Sequence, residues 1–270
     1  MQLIDIGANL THESFENDFE QVVAEAKSAK LSHIILTGTD LATSKAAQKM
    51  ATKQPEFFSC TVGFHPHIAT SVSAIDLASA KTLSCADHVV AIGETGLDFN
   101  RNFSAKEDQL RIFEHHLQLA AELQKPVFLH QRDAHDEFFP LLQKYRPNLV
   151  GGVVHCFTDT AQALHDYLEF DMYIGITGWI CDERRGRELQ RAVGKIPQDR
   201  LLIETDSPYL LPRSLHPKPK SRRNEPAHLI EVAKSIALHS GRELDDVVRC
   251  STENAVRLFR LPVSLSLETS

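Results

Sequence analysis

The segment HVVAIGETGLD (residues 88–98) opens as a run of β-branched and small apolar residues and closes in glycine, glutamate, threonine and aspartate. A run apolar on both faces, without alternation, suits a parallel strand that is buried on both sides. Similar runs recur at 2–6, 33–38, 58–64, 126–130, 150–156, 172–177 and 201–205, and amphipathic helical patterns separate most of them. Phe19, Val22, Val23 and Ala26 share one helical face. Leu110, Phe113, Leu117 and Ala121 share another, behind an expected capping box at Ser104 and Glu107, and Ala161, Leu164 and Leu168 repeat the pattern. Pro226 stands where a first helical residue tolerates proline, ahead of Leu229, Val232 and Ile236. Eight βα units in 270 residues predict an α/β fold, a single TIM-type (β/α)8 barrel over 1–262 with a loosely ordered tail at 263–270. An open doubly wound sheet of this length would use fewer strands.

Composition supports a large buried core, with 42% hydrophobic and 24% charged residues, and argues against disordered and collagen-like classes. The start, MQLIDIGANL, has no basic leader, and no window reaches the ~18 apolar residues of a membrane span. Five cysteines without a CxxC pair suit reduced thiols. A cytoplasmic monomer with no membrane partner is therefore expected. The net charge of −7 argues against a general basic surface for duplex DNA, so any nucleic-acid contact must be local.

Polar residues collect where the runs end, at the face on which barrels carry their sites. The third run ends in Gly63, Phe64, His65, Pro66 and His67, and the fourth continues into Glu94 and Asp98. The fifth ends in His130, Gln131, Arg132 and Asp133, the sixth in His155 and Cys156, and the eighth in Glu204, Thr205 and Asp206. Imidazole and carboxylate drawn from several strand ends can surround a divalent cation. Glu94, His130, His155 and Asp206 are therefore the candidate metal ligands. Each alone reads more readily as a strand-end cap or buried hydrogen-bonding residue, but four after successive runs read as one cluster. A bound cation acidifies water and polarises a substrate oxygen, Asp206 is the candidate catalytic base, and Glu94 is the residue that could bridge if two ions bind.

Between the eighth run and Pro226, residues 207–225 carry Arg213, His216, Lys218, Lys220, Arg222 and Arg223, with no acidic residue before Glu225. Arg213, Arg222 and Arg223 are candidate phosphate contacts, as are His65, His67 and Arg132. Arg132 reads equally as a partner of Glu94 or Asp206. Arg184, Arg185, Arg187 and Arg191 read as a salt-bridged helical face, and Trp179 and Tyr209 are candidate base-stacking aromatics. Strand alternation points Cys156 away from the His155 side, against a thiol nucleophile.

The segments GFHPH (63–67), IGETGLDF (92–99), PVFLHQRDAHD (126–136), HCFT (155–158), YIGITGWICDERRG (173–186), LLIETDSPYLLPR (201–213) and RRNEPAHL (222–229) together resemble the TatD family of metal-dependent deoxyribonucleases, within the amidohydrolase-like barrels, to about Leu261. The resemblance implies nuclease activity with Mg²⁺ or another divalent ion. In the branch most like this sequence it implies a 3′ to 5′ exonuclease on single-stranded DNA, serving DNA repair or fragmentation. It implies metal ligation by Glu94, His130 and His155, with Asp206 close to the metal. Many members carry an HxH pair on the first strand, where this chain has Gly7 and Asn9. That departure leaves a site richer in oxygen, which favours Mg²⁺, while His130 and His155 still suit Mn²⁺ or Zn²⁺, with one or two ions.

The expected substrate is therefore single-stranded DNA or RNA, cut at phosphodiester bonds. A different hydrolase reading, for instance deacylation of D-aminoacyl-tRNA, stays open because fold alone does not choose a reaction. So does a non-catalytic nucleic-acid-binding module that lost its activity with the HxH pair.

Overall fold

The computed structural model describes residues 2–263, so the expected tail lies outside the described residues apart from Val263. Eight parallel strands follow chain order, each pairing with the next. They are β1 (Leu3–Ala8), β2 (Leu31–Leu36), β3 (Phe58–Val62), β4 (Val89–Asp98), β5 (Val127–Arg132), β6 (Gly152–Val154), β7 (Tyr173–Ile176) and β8 (Leu201–Ile203). Past the end of β8, Asp206 N donates to Gly7 O (2.8 Å) and Asn9 N to Ser207 O (2.7 Å). These bonds join the last strand to the first at the C-terminal rim, and the sheet curls into a nearly closed barrel.

A helix follows each strand in turn: α1 (Phe19–Ser28), α2 (Leu41–Lys53), α3 (Ala74–Ser84), α4 (Lys106–Leu123), α5 (His135–Tyr145), α6 (Ala161–Glu169), α7 (Arg187–Ala192) and α8 (Leu229–Ser240). Their starts follow side-chain chemistry. Asp40 with Thr43 and Ser73 with Asp76 form capping boxes for α2 and α3, satisfying amides that a first turn leaves unpaired. The box expected at Ser104 and Glu107 does not form. Helix α4 starts at Lys106 without a side-chain cap, because the Ser104 hydroxyl donates to His67 O (2.9 Å) and accepts from Thr70 N (3.1 Å) across the barrel rim.

The apolar residues form two cores. One fills the layer between sheet and helices. The other fills the barrel, where Ile4, Ile6, Ile35, Ala91, Phe128, Val153 and Leu202 pack with Ala255, Leu258 and Phe259. The last three belong to α9 (Leu244–Phe259), a helix the periodic reading did not single out. Its Thr252 hydroxyl donates to Gln2 O, and Asn254 Nδ2 donates to Leu201 O. It thus plugs the end where the strands begin, and each fully buried large apolar side chain there contributes about 1.5–3 kcal/mol. With that end sealed, the interior opens at the opposite rim. No helix among the described residues is long and apolar enough to cross a membrane.

Candidate metal centre

At that rim lies a cavity of about 530 Å³ lined by His65, Glu94, His130, His155 and Asp206, among others. Phe128, the top of the inner core, packs its ring 4.6 Å from that of His155 and forms a floor. Strand β4 runs further than its apolar pattern indicates, to Asp98, so Glu94 projects from within a strand and not from a loop.

Three imidazoles converge on a single carboxylate oxygen. Glu94 Oε1 lies 2.9 Å from His155 Nε2, 3.0 Å from His130 Nδ1 and 3.2 Å from His65 Nε2. A carboxylate oxygen offers about two lone-pair directions, so three nitrogens exceed what hydrogen bonding alone can satisfy. Side-chain atoms of His65, Glu94 and His130 lie within 4.8 Å of one another, close enough to hold one metal ion. Around them His130 Nε2, His155 Nδ1 and Glu204 Oε2 are buried without a hydrogen-bond partner. Of these, His155 Nδ1 and Glu204 Oε2 face each other at 3.4 Å and His130 Nε2 faces Asp98 Oδ2 at 3.6 Å, and buried nitrogen and oxygen atoms this loosely paired fit a divalent cation.

The charges point the same way. Burial would raise Glu94, but the imidazoles of His155 and His65 and hydrogen bonds from His130 and His155 outweigh it and hold the carboxyl well below its ordinary range. Burial alone would lower His155, yet Glu94 and Glu204 drive it well above its ordinary value. His130, raised by its hydrogen bonds to Asp98 and Glu94 against its burial, and His155 thus supply positive charge that a cation would otherwise bring. Asp206 is pushed up to about 8, by burial first and then by the charges of Glu94 and Glu204. An added cation would favour its ionised form.

His65 is engaged on both ring nitrogens. Its Nδ1 accepts from His67 N (3.1 Å), which leaves the proton on Nε2, and burial pushes the ring toward its neutral form. A neutral imidazole with hydrogen on Nε2 donates through that atom and cannot ligate through it. His130 and His155 each keep a second ring nitrogen without a hydrogen-bond partner, whereas His65, engaged on both, is a donor toward Glu94 or a bound anion. His67 is held by Asp98, with Nε2 2.7 Å from Oδ2.

Four residues outside the expected set shape this centre. Glu204 is fully buried and accepts from Cys156 N (2.6 Å). Its signal was legible, since it is a carboxylate at the end of the eighth apolar run, two positions before Asp206. A Cβ at Gly7 would meet Glu204 Oε2 at 2.5 Å, and one at Gly175 would meet Oε1 at 2.6 Å. The place of the first HxH histidine is thus filled by a glutamate from the opposite side of the seam. Asn9, at the second place, donates from Nδ2 to Asp206 Oδ1 (2.9 Å). Asp5 accepts from Thr205 N (2.9 Å) and from the Thr205 hydroxyl, fixing the residue between Glu204 and Asp206. Asp98 also accepts from Arg101 N (2.8 Å).

The basic candidates separate. Arg223 binds Asp18 through both Nη atoms (2.9 and 2.6 Å) and Glu225 (2.8 Å), tying the loop to α1. Arg213 lies 3.3 Å from the buried Asp182 carboxylate and is half exposed. Arg222 is exposed. Arg132 ends β5 opposite Asp98 in register and, among the described residues, pairs with neither Glu94 nor Asp206. Arg184 and Arg185 precede α7, with their backbone amides on Asp182, and so do not share the expected helical face. The Arg185 guanidinium covers Trp179 at 4.5 Å.

Cys156 corrects the alternation argument. Strand β6 ends at Val154, and Cys156 takes a φ of 46°, so it lines the same cavity as His155. A nucleophilic role still fails, because burial beside Asp206 and Glu204 raises the thiol well above its ordinary range.

The family model described as TatD related DNase matches residues 4–260. A protein named 3'-5' ssDNA/RNA exonuclease TatD from Erwinia billingiae is 50% identical over 260 residues, covering 96% of this chain and 100% of the relative. One of the same name from a Pantoea species is 49% identical over 259 residues, with 96% and 100% covered. Among solved structures, a TatD family hydrolase from Entamoeba histolytica superposes with a TM-score of 0.87 at 30% identity, covering 96% of this chain and 98% of that one. A TatD homologue from Escherichia coli gives 0.86 at 25% identity, with 96% and 98% covered. A match that runs from β1 to the end of α9, on a barrel whose rim gathers these imidazoles and carboxylates, leaves one conclusion: the chain belongs to the TatD-related DNase family.

Proposed function

We propose that the protein is a divalent-metal-dependent 3′ to 5′ exonuclease that hydrolyses phosphodiester bonds in single-stranded DNA or RNA. The observation that carries the reading is the convergence of His65, His130 and His155 on Glu94 Oε1, in a chain half identical to relatives named for that activity. We assign Glu94, His130, His155 and Asp206 as ligands and Mg²⁺ as the ion, with Mn²⁺ as a substitute. The oxygen-rich surroundings formed by Glu94, Glu204 and Asp206 support a hard cation. When bound, such an ion supplies Lewis acidity toward a phosphoryl oxygen and toward water.

The chain's own residues supply the rest. Asp206, oriented by the Asn9 amide, takes the proton of the attacking water. His65 offers its Nε2 hydrogen to a phosphate oxygen, and His67 stands beside it, fixed by Asp98. Arg213, Arg222 and Arg132 lead the negative strand toward the rim, which gives affinity without sequence preference. Arg223 serves that surface by holding the loop in place. The free cysteines support a cytoplasmic setting, and a monomer acting in DNA repair or fragmentation completes the proposal.

A time course on end-labelled single-stranded DNA, with and without Mg²⁺ and beside a D-aminoacyl-tRNA, tests it. Mononucleotides released from the 3′ end only with the ion are expected, and release of free amino acid in their place would select the deacylase. Asp206→Ala should abolish turnover while its circular dichroism stays native, and unimpaired cleavage would overturn its role.

A further inference from the structure

Two aromatic rings stand exposed at the mouth of this cavity. Phe103, in the loop between β4 and α4, is 66% exposed, and Tyr209, just past β8, is 52% exposed. Both line the cavity that holds the metal centre. In an eight-stranded barrel ordered β1 to β8, strands 4 and 8 lie diametrically opposite, so the two rings flank the centre from opposite sides.

Neither ring is on a loose loop. Asp98 Oδ1 accepts from Asn100 N (3.0 Å) and Arg101 N (2.8 Å), and the Ser104 hydroxyl donates to His67 O, so the residues on both sides of Phe103 are anchored. Tyr209 N closes a turn onto Asp206 O (2.9 Å). Each ring meets one histidine in a T-shaped contact, Phe103 with His67 at 4.8 Å and Tyr209 with His12 at 5.9 Å. One such neighbour leaves at least one face open. Phe103 has no polar atom of its own to justify its exposure to water, and an anchored ring beside a reactive centre is the platform a flat apolar ligand needs. Every nucleobase offers such a face.

We propose that Phe103 and Tyr209 are base-stacking platforms for the two nucleotides joined by the scissile phosphate, one base on each side of the metal centre. The assignment rests on the nuclease reading and deepens it. It explains a requirement for single strands, because bases paired in a duplex cannot part to opposite walls without first unstacking. The Asp98 carboxylate links the two jobs, since one oxygen holds His67 and the other holds the loop that presents Phe103.

The test uses the metal-loaded enzyme with single-stranded oligonucleotides that are intact, abasic at the 3′-terminal position, or abasic at the next one. Phe103→Ala and Tyr209→Ala should each raise KM on the intact strand by about 5- to 150-fold, and Phe103→Tyr should restore it. The penalty of each variant should vanish on one abasic strand, a different strand for each ring. An unchanged KM overturns the proposal, and so does a penalty of equal size on all three strands, which marks general damage to the site. If the unaltered enzyme cleaves none of these strands the nuclease reading itself falls, whereas normal cleavage with insensitive variants removes only the stacking.

Discussion

Glu204 shows how much a single carboxylate can settle at the scale of the residue. It occupies the room beside Gly7 and Gly175, and its Oε1 is held by Cys156 N. A methyl group at position 7 must push either that carboxylate or the Phe128 ring, whose Cζ would lie at 3.1 Å. Overpacking of this kind costs about 1–3 kcal/mol. Gly7→Ala is therefore expected to lower stability by that amount in urea titrations and to slow turnover, since Glu204 leaves its place beside His155. A variant with native stability and native rate would show that the pocket has slack. The same crowding explains how the chain does without a histidine at position 7, and why Asn9, free to face Asp206, acts as an orienting amide.

At the scale of the element, α4 reaches the site through a histidine that touches no ligand. His116 Nδ1 donates to Ile112 O (2.7 Å), and Nε2 accepts from Phe64 N (3.2 Å), next to His65. Burial pushes this imidazole down to about 4, against an ordinary value of 6.5. The unfolded chain takes up this proton first, so His116 contributes stability that is present above pH 6.5 and is lost as pH falls toward 4. At 1.36 kcal/mol per unit the loss approaches about 3 kcal/mol. Protonation also removes the acceptor for Phe64 N and frees the turn that carries His65 and His67. Urea titrations from pH 7 to pH 4 should show a steeper fall for the unaltered protein than for His116→Gln, and parallel curves would disprove this role. The loop after β8 illustrates the other side of element-scale reading. Its basic composition was plain, but Arg223 turns back to Asp18 and Glu225, because a bidentate carboxylate partner was within reach.

For the whole molecule, the barrel concentrates buried carboxylates at one end, with Asp5, Glu94, Asp98 and Glu204 all under the rim, while α9 seals the other. A cation that binds this end in the folded chain alone stabilises it by about 2.7 kcal/mol at 100 times its dissociation constant. For a chain of this size, Mg²⁺ or Mn²⁺ should raise Tm by about 5–10 °C over a chelated sample. The increment should shrink in His130→Ala, and an unchanged melting curve at saturating Mn²⁺ would exclude a resident ion. The outer helices, which contribute the layer between themselves and the sheet, should not alter that increment.

The sequence by itself determined that eight strands form, their order and the rim that bears the site, while β4 runs on to Asp98 and β6 and β8 stop short of their apolar runs. Apolar runs of that length have to be buried on both faces, and polar residues can follow them only where the barrel opens. It also placed Glu94, His130, His155 and Asp206 at that rim. Only the tertiary structure decided that three imidazoles share one oxygen, that His65 is a donor, that Glu204 fills the space at Gly7 and that Asn9 meets Asp206 from 197 positions away. The physical reason is one of range: burial acts residue by residue and leaves a pattern along the chain. A tautomer, a filled gap or a shared oxygen depends instead on differences of about an ångström between segments that meet only after the barrel has closed.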